Sequence, residues 1–177
     1  MNQEEIQKRI ETAQARYKAR MAPMLEKKKK NKELAQKLLK EGAVLAYFDL
    51  DYCRMKTCSP GTITLTTKVS VAAKQVETET EGKVKFVIVY AILSEHDNFN
   101  KSTARELLAA RLEDPKAKQR IIIEVTEKAV NNSEKMHDIM WKAMELELAS
   151  NTSTVPAWLY NGLHLHQEVY GNDIDLF

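Results

Sequence analysis

Two aspartates, Asp49 and Asp51, stand two positions apart in the stretch AYFDLDYC. In a β-strand this spacing points both carboxylates to one face, and paired carboxylates can hold Mg²⁺ for phosphoryl chemistry. No third acidic ligand can be assigned to them, and acidic side chains are common near the end of a half-exposed strand. A Mg²⁺-dependent nuclease is therefore the weakest of three functional hypotheses for this chain.

Histidines and cysteines form a second candidate for chemistry. His164 and His166, in HLH, would share one side of a strand and could join Cys53 or Cys58 around a transition metal. The spacing of the two cysteines matches no zinc motif, and two cysteines are too few for a disulfide framework. We therefore predict no metal site, no cofactor and no catalytic residue, which favours a non-enzymatic protein.

Two further groups of side chains have ordinary structural interpretations. Asp97 and Arg105 lie in the polar stretch SEHDNFNKSTAR, which has no nucleophile, general base or glycine-rich phosphate loop, so we interpret it as a strand-to-helix connection. Met136, Met140 and Met144 repeat at helical spacing. Methionine suits an adaptable binding surface, but a methionine stripe is more often the core side of a helix. Both interpretations of the stripe stay open.

A block of lysines in MLEKKKKNKELAQKLLKEG is the most unusual feature of the chain. On a helix, with about 100° between residues, these charges surround the axis, and Lys27 and Lys28 fall on the face that is apolar one turn later. Burying an unpaired ammonium is costly, so we expect this turn to face solvent or an anionic partner, not the body. The phosphates of a nucleic acid would neutralise these lysines without sequence-specific contacts. An exposed lysine-rich joint between two helices is an equal alternative. The predicted nucleic-acid contacts are Lys27, Lys28, Lys29, Lys30, Lys32, Arg16 and Arg20.

Charge is divided unevenly along the chain. Residues 1–42 hold twelve Lys or Arg and six Glu, a net charge of +6, whereas the remainder carries 15 basic and 19 acidic residues, a net charge of −4. A basic arm on a mildly acidic body often accompanies contact with a polyanion. We therefore divide the chain into a basic helical arm, 1–42, and an α+β domain, 43–177, that ends in a short acidic tail.

The first part of the arm carries a narrow apolar seam. Its members repeat at steps of three and four and lie within about 60° of one line on a helix. They are Ile6, Ile10, Ala13, Tyr17, Met21 and Met24. A seam of this width suits a coiled-coil pair or a partner's groove better than a globular core, and Pro23 should separate this helix from a second one or kink the two. We predict protein contacts, including self-association, through Ile6, Ile10, Tyr17 and Met24.

The last residues, GNDIDLF, place two aspartates and branched aliphatic residues ahead of a C-terminal phenylalanine. Asp173, Ile174, Asp175, Leu176 and Phe177 resemble the acidic tip of bacterial single-stranded DNA-binding proteins, which is held by basic, apolar-floored pockets on replication partners. The family's proline before the final Phe is replaced by Leu176, and its Gly-rich linker is missing. The resemblance implies partner contacts at Asp173, Asp175 and Phe177. Folding of this apolar terminus onto the domain is the alternative.

Beyond the arm, the sequence pattern predicts an antiparallel sheet. GAVLAYFDLDYC and TITLTTKVSVAA alternate in strand fashion, the second with a core side and a wet side, and KVKFVIVYAIL is apolar on both faces, which is typical of a central strand. A hairpin that closes near Glu81 and Gly82 joins the last two strands. The β-branched stretch RIIIEV favours a fourth strand over 120–126, although Asp114 before Pro115 also suits the start of a helix.

Helical spacing returns in the later segments. NFNKSTARELLAARLED, with Asn100 or Ser102 as N-cap, and SEKMHDIMWKAMELELA predict helices over 102–150 that cover one face of the sheet. VPAWLYNG predicts a further helical turn, and LHLHQEVY is compatible with a strand or a helix. The fold class is therefore α+β: an N-terminal helical arm or hairpin followed by a three- to four-stranded antiparallel sheet packed with helices.

These features favour a non-enzymatic binding protein whose basic arm contacts DNA or RNA without strong sequence specificity, while a second surface contacts a protein partner. The alternatives are a protein-directed inhibitor or assembly module that acts through the seam, and the nuclease. The longest apolar run, VKFVIVYAIL, is much shorter than the roughly 20 residues of a membrane helix, so we expect no membrane contact. The first residues resemble no secretion signal, so we expect a cytoplasmic protein.

Overall fold

The computed structural model describes residues 3–56, 60–94, 97–127, 130, 133–150 and 154–170. In chain order the elements are α1 Gln3–Lys40, β1 Ala43–Met55, β2 Thr62–Val76, β3 Lys83–Ile92, α2 Lys101–Glu113, β4 Arg120–Thr126, α3 Ser133–Ala149 and α4 Ala157–Tyr170. The predicted α+β class is confirmed, because an N-terminal helix precedes a four-stranded antiparallel sheet packed with helices. The strand predicted over 120–126 is β4.

The arm is a single helix of 38 residues that runs through Pro23, so a separate second helix, one of the two outcomes expected there, does not form. Proline removes one backbone N–H and crowds the carbonyl four residues earlier, at a cost of about 3 kcal/mol in a helix interior. Alanine, methionine, leucine, glutamate, lysine and arginine dominate both sides of Pro23, and their high helix propensities favour continuation. Despite its length α1 is too polar to cross a bilayer, and none of the other described helices is long and apolar enough to do so.

The sheet has the strand order β1-β2-β3-β4, and every neighbouring pair is antiparallel. The β2–β3 hairpin closes where the sequence predicted, and Gly82, with a φ of 72°, supplies the left-handed conformation of its turn. β3 lies between β2 and β4, and its residues 86–91 are all buried. The prediction of a central strand at this position is therefore confirmed.

Both faces of the sheet are covered, whereas the sequence pattern predicted helices on one face only. On the first face, alternate residues such as Ile88 and Tyr90 belong to a core with residues of α3 and α4. On the second face, Val87 and Val89 pack with Leu108 of α2. The wet side predicted for β2 is therefore partly wrong, because Ser70 is buried where α2 lies over that face.

Two helices, α3 and α4, complete the first core. Met136, Met140 and Met144 are buried there, so the core interpretation of the methionine stripe is confirmed. Residues 163–170, compatible with a strand or a helix in the sequence, belong to α4. Gly162 allows a close approach of α4 to β1, because a Cβ at this position would lie 2.7 Å from Cδ2 of Tyr52.

The last turns of α1 are attached to the body by apolar and charged contacts. Leu38 packs with Ala43 and Ala109 in a small buried cluster. Lys37 forms an ion pair of 2.8 Å with Glu113 of α2, and this hydrogen bond raises the pKa of Lys37 above its ordinary value. The end of the basic arm is therefore held alongside α2.

Candidate nucleic-acid interface

The lysine turn, residues 27–32, contacts α2 through one uncharged side chain. Asn31 is 7 % exposed, and its amide nitrogen donates hydrogen bonds to Ser102 Oγ and, at 3.2 Å, to Glu106 Oε1. The expectation that this turn stays clear of the body was therefore wrong. The reason is that Asn31 falls between Lys27 and Lys28 on the helix surface, so an amide fills the contact while the ammonium groups remain in solvent.

A groove of about 580 Å³ lies between α1 and the start of α2. Lys27, Lys28 and Lys32 line its α1 side, and Arg105 lines its α2 side. The three lysines are exposed, and Arg105 is half-buried. The fold therefore brings cations from two elements that are distant in sequence to opposite walls of one groove.

Most lysines of this turn have no carboxylate partner among the described residues. Lys30 pairs with Glu26 at 3.2 Å along the exposed side of α1. Within the described parts of the chain, Lys27, Lys28, Lys29 and Lys32 form no ion pair. Like charges crowded on one turn raise the local positive potential, and an anionic partner would relieve their repulsion.

The start of α2 adds positive charge where helices usually carry negative charge. α2 has no acidic residue in its first turn, begins at Lys101 after the N-cap Asn100, and presents Arg105 one turn later. The positive end of the helix dipole lies here, and it stabilises anions and disfavours cations. The dipole and both side chains therefore favour a negatively charged group at this end of α2.

Two aromatic rings lie beside these cations. Lys101 Nζ lies 5.2 Å from the centre of the Tyr47 ring, and Arg105 Nε donates a hydrogen bond of 3.2 Å to the Tyr47 hydroxyl. Tyr47 meets Phe99 edge to face, with 5.8 Å between the ring centres. Interleaved cations and partly exposed rings are the composition with which proteins hold phosphates and stack bases.

Arg16 and Arg20, which the sequence assigned to the same surface, are exposed on α1 and do not line the groove. Their spacing places Arg16, Arg20 and Lys27 within about 40° of one line along the helix, over roughly 17 Å. They therefore extend the cationic face of α1 away from the contact with α2.

Asp49 and Asp51 share one face of β1, as their spacing predicted, and both have protein partners. Lys68 on β2 forms an ion pair with Asp49, and the Thr66 hydroxyl donates a hydrogen bond of 2.6 Å to Asp51. Among the residues that the structure describes, no group of three or more His, Cys, Asp or Glu side chains is arranged to hold a metal ion. The pair is therefore part of the β1–β2 surface.

The two histidines and Cys53 belong to no group of ligands that could hold a metal ion in the described part of the chain. His164 and His166 belong to α4, where residues two positions apart point about 160° away from each other, so the shared side expected of a strand does not exist. Cys53 is a buried free thiol. Four predicted candidates lie outside the described residues: Cys58, Asp173, Asp175 and Phe177.

The seam of α1 is uncovered by the rest of the described chain. Ile6, Ile10, Tyr17 and Met24 are 41, 45, 66 and 55 % exposed. Residues 5–20 are exposed along their whole length. The helix that the spacing requires is present, so these side chains do form an apolar stripe on its surface.

The sequence had not assigned Lys101, Tyr47 or Phe99 to this surface, and it had left Arg105 in a strand-to-helix connection. The positive charge that opens α2 was the available indication, because Lys101 follows the N-cap in place of the usual acidic residue. No comparable indication existed for Tyr47 and Phe99. Their contact joins β1 to the residue just before the N-cap of α2, which only the fold reveals.

No protein-family model, curated protein or solved structure matches this chain, so its function has to be inferred from the geometry of this surface.

Proposed function

We propose that this protein is a non-enzymatic binding protein that holds nucleic acid in the groove between α1 and α2, without strong sequence specificity, and contacts a protein partner through the seam. The observation that supports this proposal is the convergence of Lys27, Lys28 and Lys32 with Arg105 around one groove. None of these three lysines pairs with a carboxylate of the described residues. Unpaired cations on two walls suit the regularly repeated charges of a polynucleotide.

The two kinds of cation have different tasks in such a complex. Arg105 carries a planar guanidinium that the Tyr47 hydroxyl already orients, so it can bind a phosphate with fixed geometry. The lysines are point charges on flexible stems and can follow phosphates at slightly different positions. Contacts of both kinds position the backbone of the ligand and carry no sequence information. Binding should therefore be strongly dependent on salt and weakly dependent on sequence.

Replacing lysines 27–30 with Gln tests the proposal. Fluorescence anisotropy of labelled DNA and RNA across a salt series should show weaker binding and a log–log salt slope reduced by up to about 2.8, since each phosphate neutralised on a single strand contributes roughly 0.7. A matched control replaces four exposed lysines of the body, Lys83, Lys116, Lys118 and Lys142, with Gln. Unchanged affinity and slope in the first variant, or equal losses in both variants, would contradict the proposal.

A second candidate function is a protein-directed inhibitor or assembly module that binds no nucleic acid. The uncovered Ile6, Ile10, Tyr17 and Met24 favour it, because a partner helix could bury them. In this case lysines 27–30 are only a solvated part of α1. Pull-down from a host lysate with and without nuclease separates the two functions. Nucleic acid that is captured by the wild type and lost from the Gln variant of lysines 27–30 supports nucleic-acid binding, whereas protein partners captured equally with and without nuclease, with no nucleic acid retained, support the module.

A further inference from the structure

A pocket of about 370 Å³ opens beside the groove, between the end of β3 and the start of α2. Asn100, the N-cap of α2, lines both the pocket and the groove. The volume lies at the low end of the roughly 300–1,000 Å³ that small ligands occupy. A chain held in the groove would therefore pass the mouth of this pocket.

The pocket carries little net charge, in contrast to the groove. Among the described residues that line it, Lys68 is the one cation, and its ammonium pairs with Asp49. Asp97 adds a carboxylate to the same lining. A phosphate would meet repulsion there and no unpaired cation, whereas an uncharged group would not. The charges therefore separate a site for phosphates, the groove, from a site for a neutral part of the same ligand.

The lining of the pocket suits a flat, uncharged ring with polar edges. Phe99 and Leu107 offer aromatic and aliphatic surface, and the side-chain amides of Asn98 and Asn100 offer both donors and acceptors of hydrogen bonds. The Phe99 ring meets Tyr47 edge to face outside the pocket, and Lys68 Nζ lies 5.6 Å from the ring centre. Nucleobases need this combination, because they stack through their faces and form hydrogen bonds through their edges.

We infer that this pocket accepts one unpaired nucleobase of a strand whose phosphates lie in the groove, so that the preferred ligand is single-stranded nucleic acid. This inference rests on the proposed function. A duplex keeps its bases paired and stacked, and it would have to extrude one of them to fill the pocket. A single strand offers unstacked bases next to its phosphates without that cost.

The test compares the affinity for a labelled single strand with that for a duplex of the same length, in the wild type and in two pocket variants. Phe99→Ala removes the aromatic wall, and Thr103→Trp fills the pocket from an exposed position on α2. Both variants should lose about fivefold or more in affinity for the single strand, as expected from the loss of one base–aromatic stack, and little in affinity for the duplex. The matched controls are Phe99→Trp, which keeps an aromatic face, and Ala110→Trp, which adds the same bulk at an exposed position outside the pocket. Both controls should bind like the wild type.

The outcomes distinguish this inference from the proposed function. Equal affinities for single strand and duplex, or pocket variants that match the wild type, would overturn the inference, while the proposed function stands if the Gln variant of lysines 27–30 still loses binding. Tight binding of a free nucleoside monophosphate that this Gln variant leaves unchanged would also overturn it, because the pocket would then act independently of the groove. If the protein binds no oligonucleotide at low salt, both this inference and the proposed function are wrong. Thr103→Trp keeps the test valid if Phe99→Ala does not fold.

Discussion

The side-chain amide of Asn31 donates a hydrogen bond of 3.2 Å to the carboxylate of Glu106, and this contact joins the lysine turn of α1 to α2. The same amide bonds Ser102, so one uncharged residue occupies the place where two cationic surfaces meet. Lys27 and Lys28 flank it and stay in solvent. The positive charge of the arm is thereby held next to the body without any ammonium group being buried.

Asn31→Ala should lower the free energy of unfolding by about 1–3 kcal/mol, because Ser102 and Glu106 lose a buried donor. It should also weaken nucleic-acid binding, since the two walls of the groove are no longer tied together. Urea unfolding followed by circular dichroism measures the first effect. Gln14→Ala, an exposed position on the same helix that does not line the groove, is the control. Equal stabilities of the two variants would show that the Asn31 contact contributes nothing.

Ile6→Asp or Ile10→Asp should abolish any self-association that persists at high salt, because each places a charge in the uncovered seam. Sedimentation velocity gives the mass of the species. Ala15→Asp adds the same charge on the opposite side of α1, about 180° from Ile6, and should leave the mass unchanged. An oligomer that withstands Ile6→Asp, or that dissociates equally with Ala15→Asp, would argue against the seam as the contact.

Gly162→Ala should destabilise the protein by about 1–3 kcal/mol, although alanine is the better helix former. The added Cβ would lie 2.7 Å from Cδ2 of Tyr52 and 2.9 Å from the Cys53 carbonyl oxygen, so α4 would have to move away from β1. Thermal and urea unfolding measure the loss. Asn161→Ala, at the exposed neighbouring position, should be close to neutral. A stabilised Gly162→Ala variant would mean that α4 does not approach β1 this closely.

Tyr90→Phe should change how stability depends on alkaline pH. Tyr90 is buried with its hydroxyl 2.9 Å from Glu147 Oε1, and burial raises the pKa of this phenol well above its ordinary value of 10.0. A raised pKa in the folded state means that the contribution to stability is complete below pH 10.0 and declines above it, by up to about 1.4 kcal/mol per pH unit.

Urea unfolding at a series of pH values checks this decline. The wild type should lose stability above pH 10.0 more steeply than Tyr90→Phe, which has no phenol at this buried position. Tyr17→Phe is the control, because Tyr17 is exposed on α1 and should leave the pH profile of the wild type intact. Parallel profiles for the wild type and Tyr90→Phe would contradict the assignment.

The elements of this fold could be predicted wherever one local pattern decides the outcome. The alternation in β2 and the apolar run of β3 predicted both strands, and the β-branched residues of 120–126 predicted β4. Gly82 marked the turn between β2 and β3, because a positive φ there favours glycine. These features depend on neighbours in the sequence, so the sequence carries them directly.

The remaining features depend on neighbours in space. Ser70 was expected on a wet side but is buried, since nothing in β2 reveals that α2 covers that face. Asn31 was overlooked between two lysines, although an uncharged residue in a charged turn is the one that can be buried. Phe99 and Tyr47 are 52 positions apart in the sequence and meet only in the fold. The arrangement of most residues around the groove and the pocket could therefore not be predicted from the sequence.

Because α1 continues through Pro23, it fixes the distance and the angle between the seam and the lysines. At about 1.5 Å per residue, Ile6 lies roughly 33 Å along the axis from Lys28, and about 100° per residue sets the angle between the seam and the lysines. A partner on the seam is thus held at a fixed distance along the helix axis, and at a fixed angle around it, from a strand in the groove. Seven extra residues between the two sites would lengthen the distance by about 10 Å and almost preserve the angle. Five extra residues would instead turn the partner by about 140° around the axis.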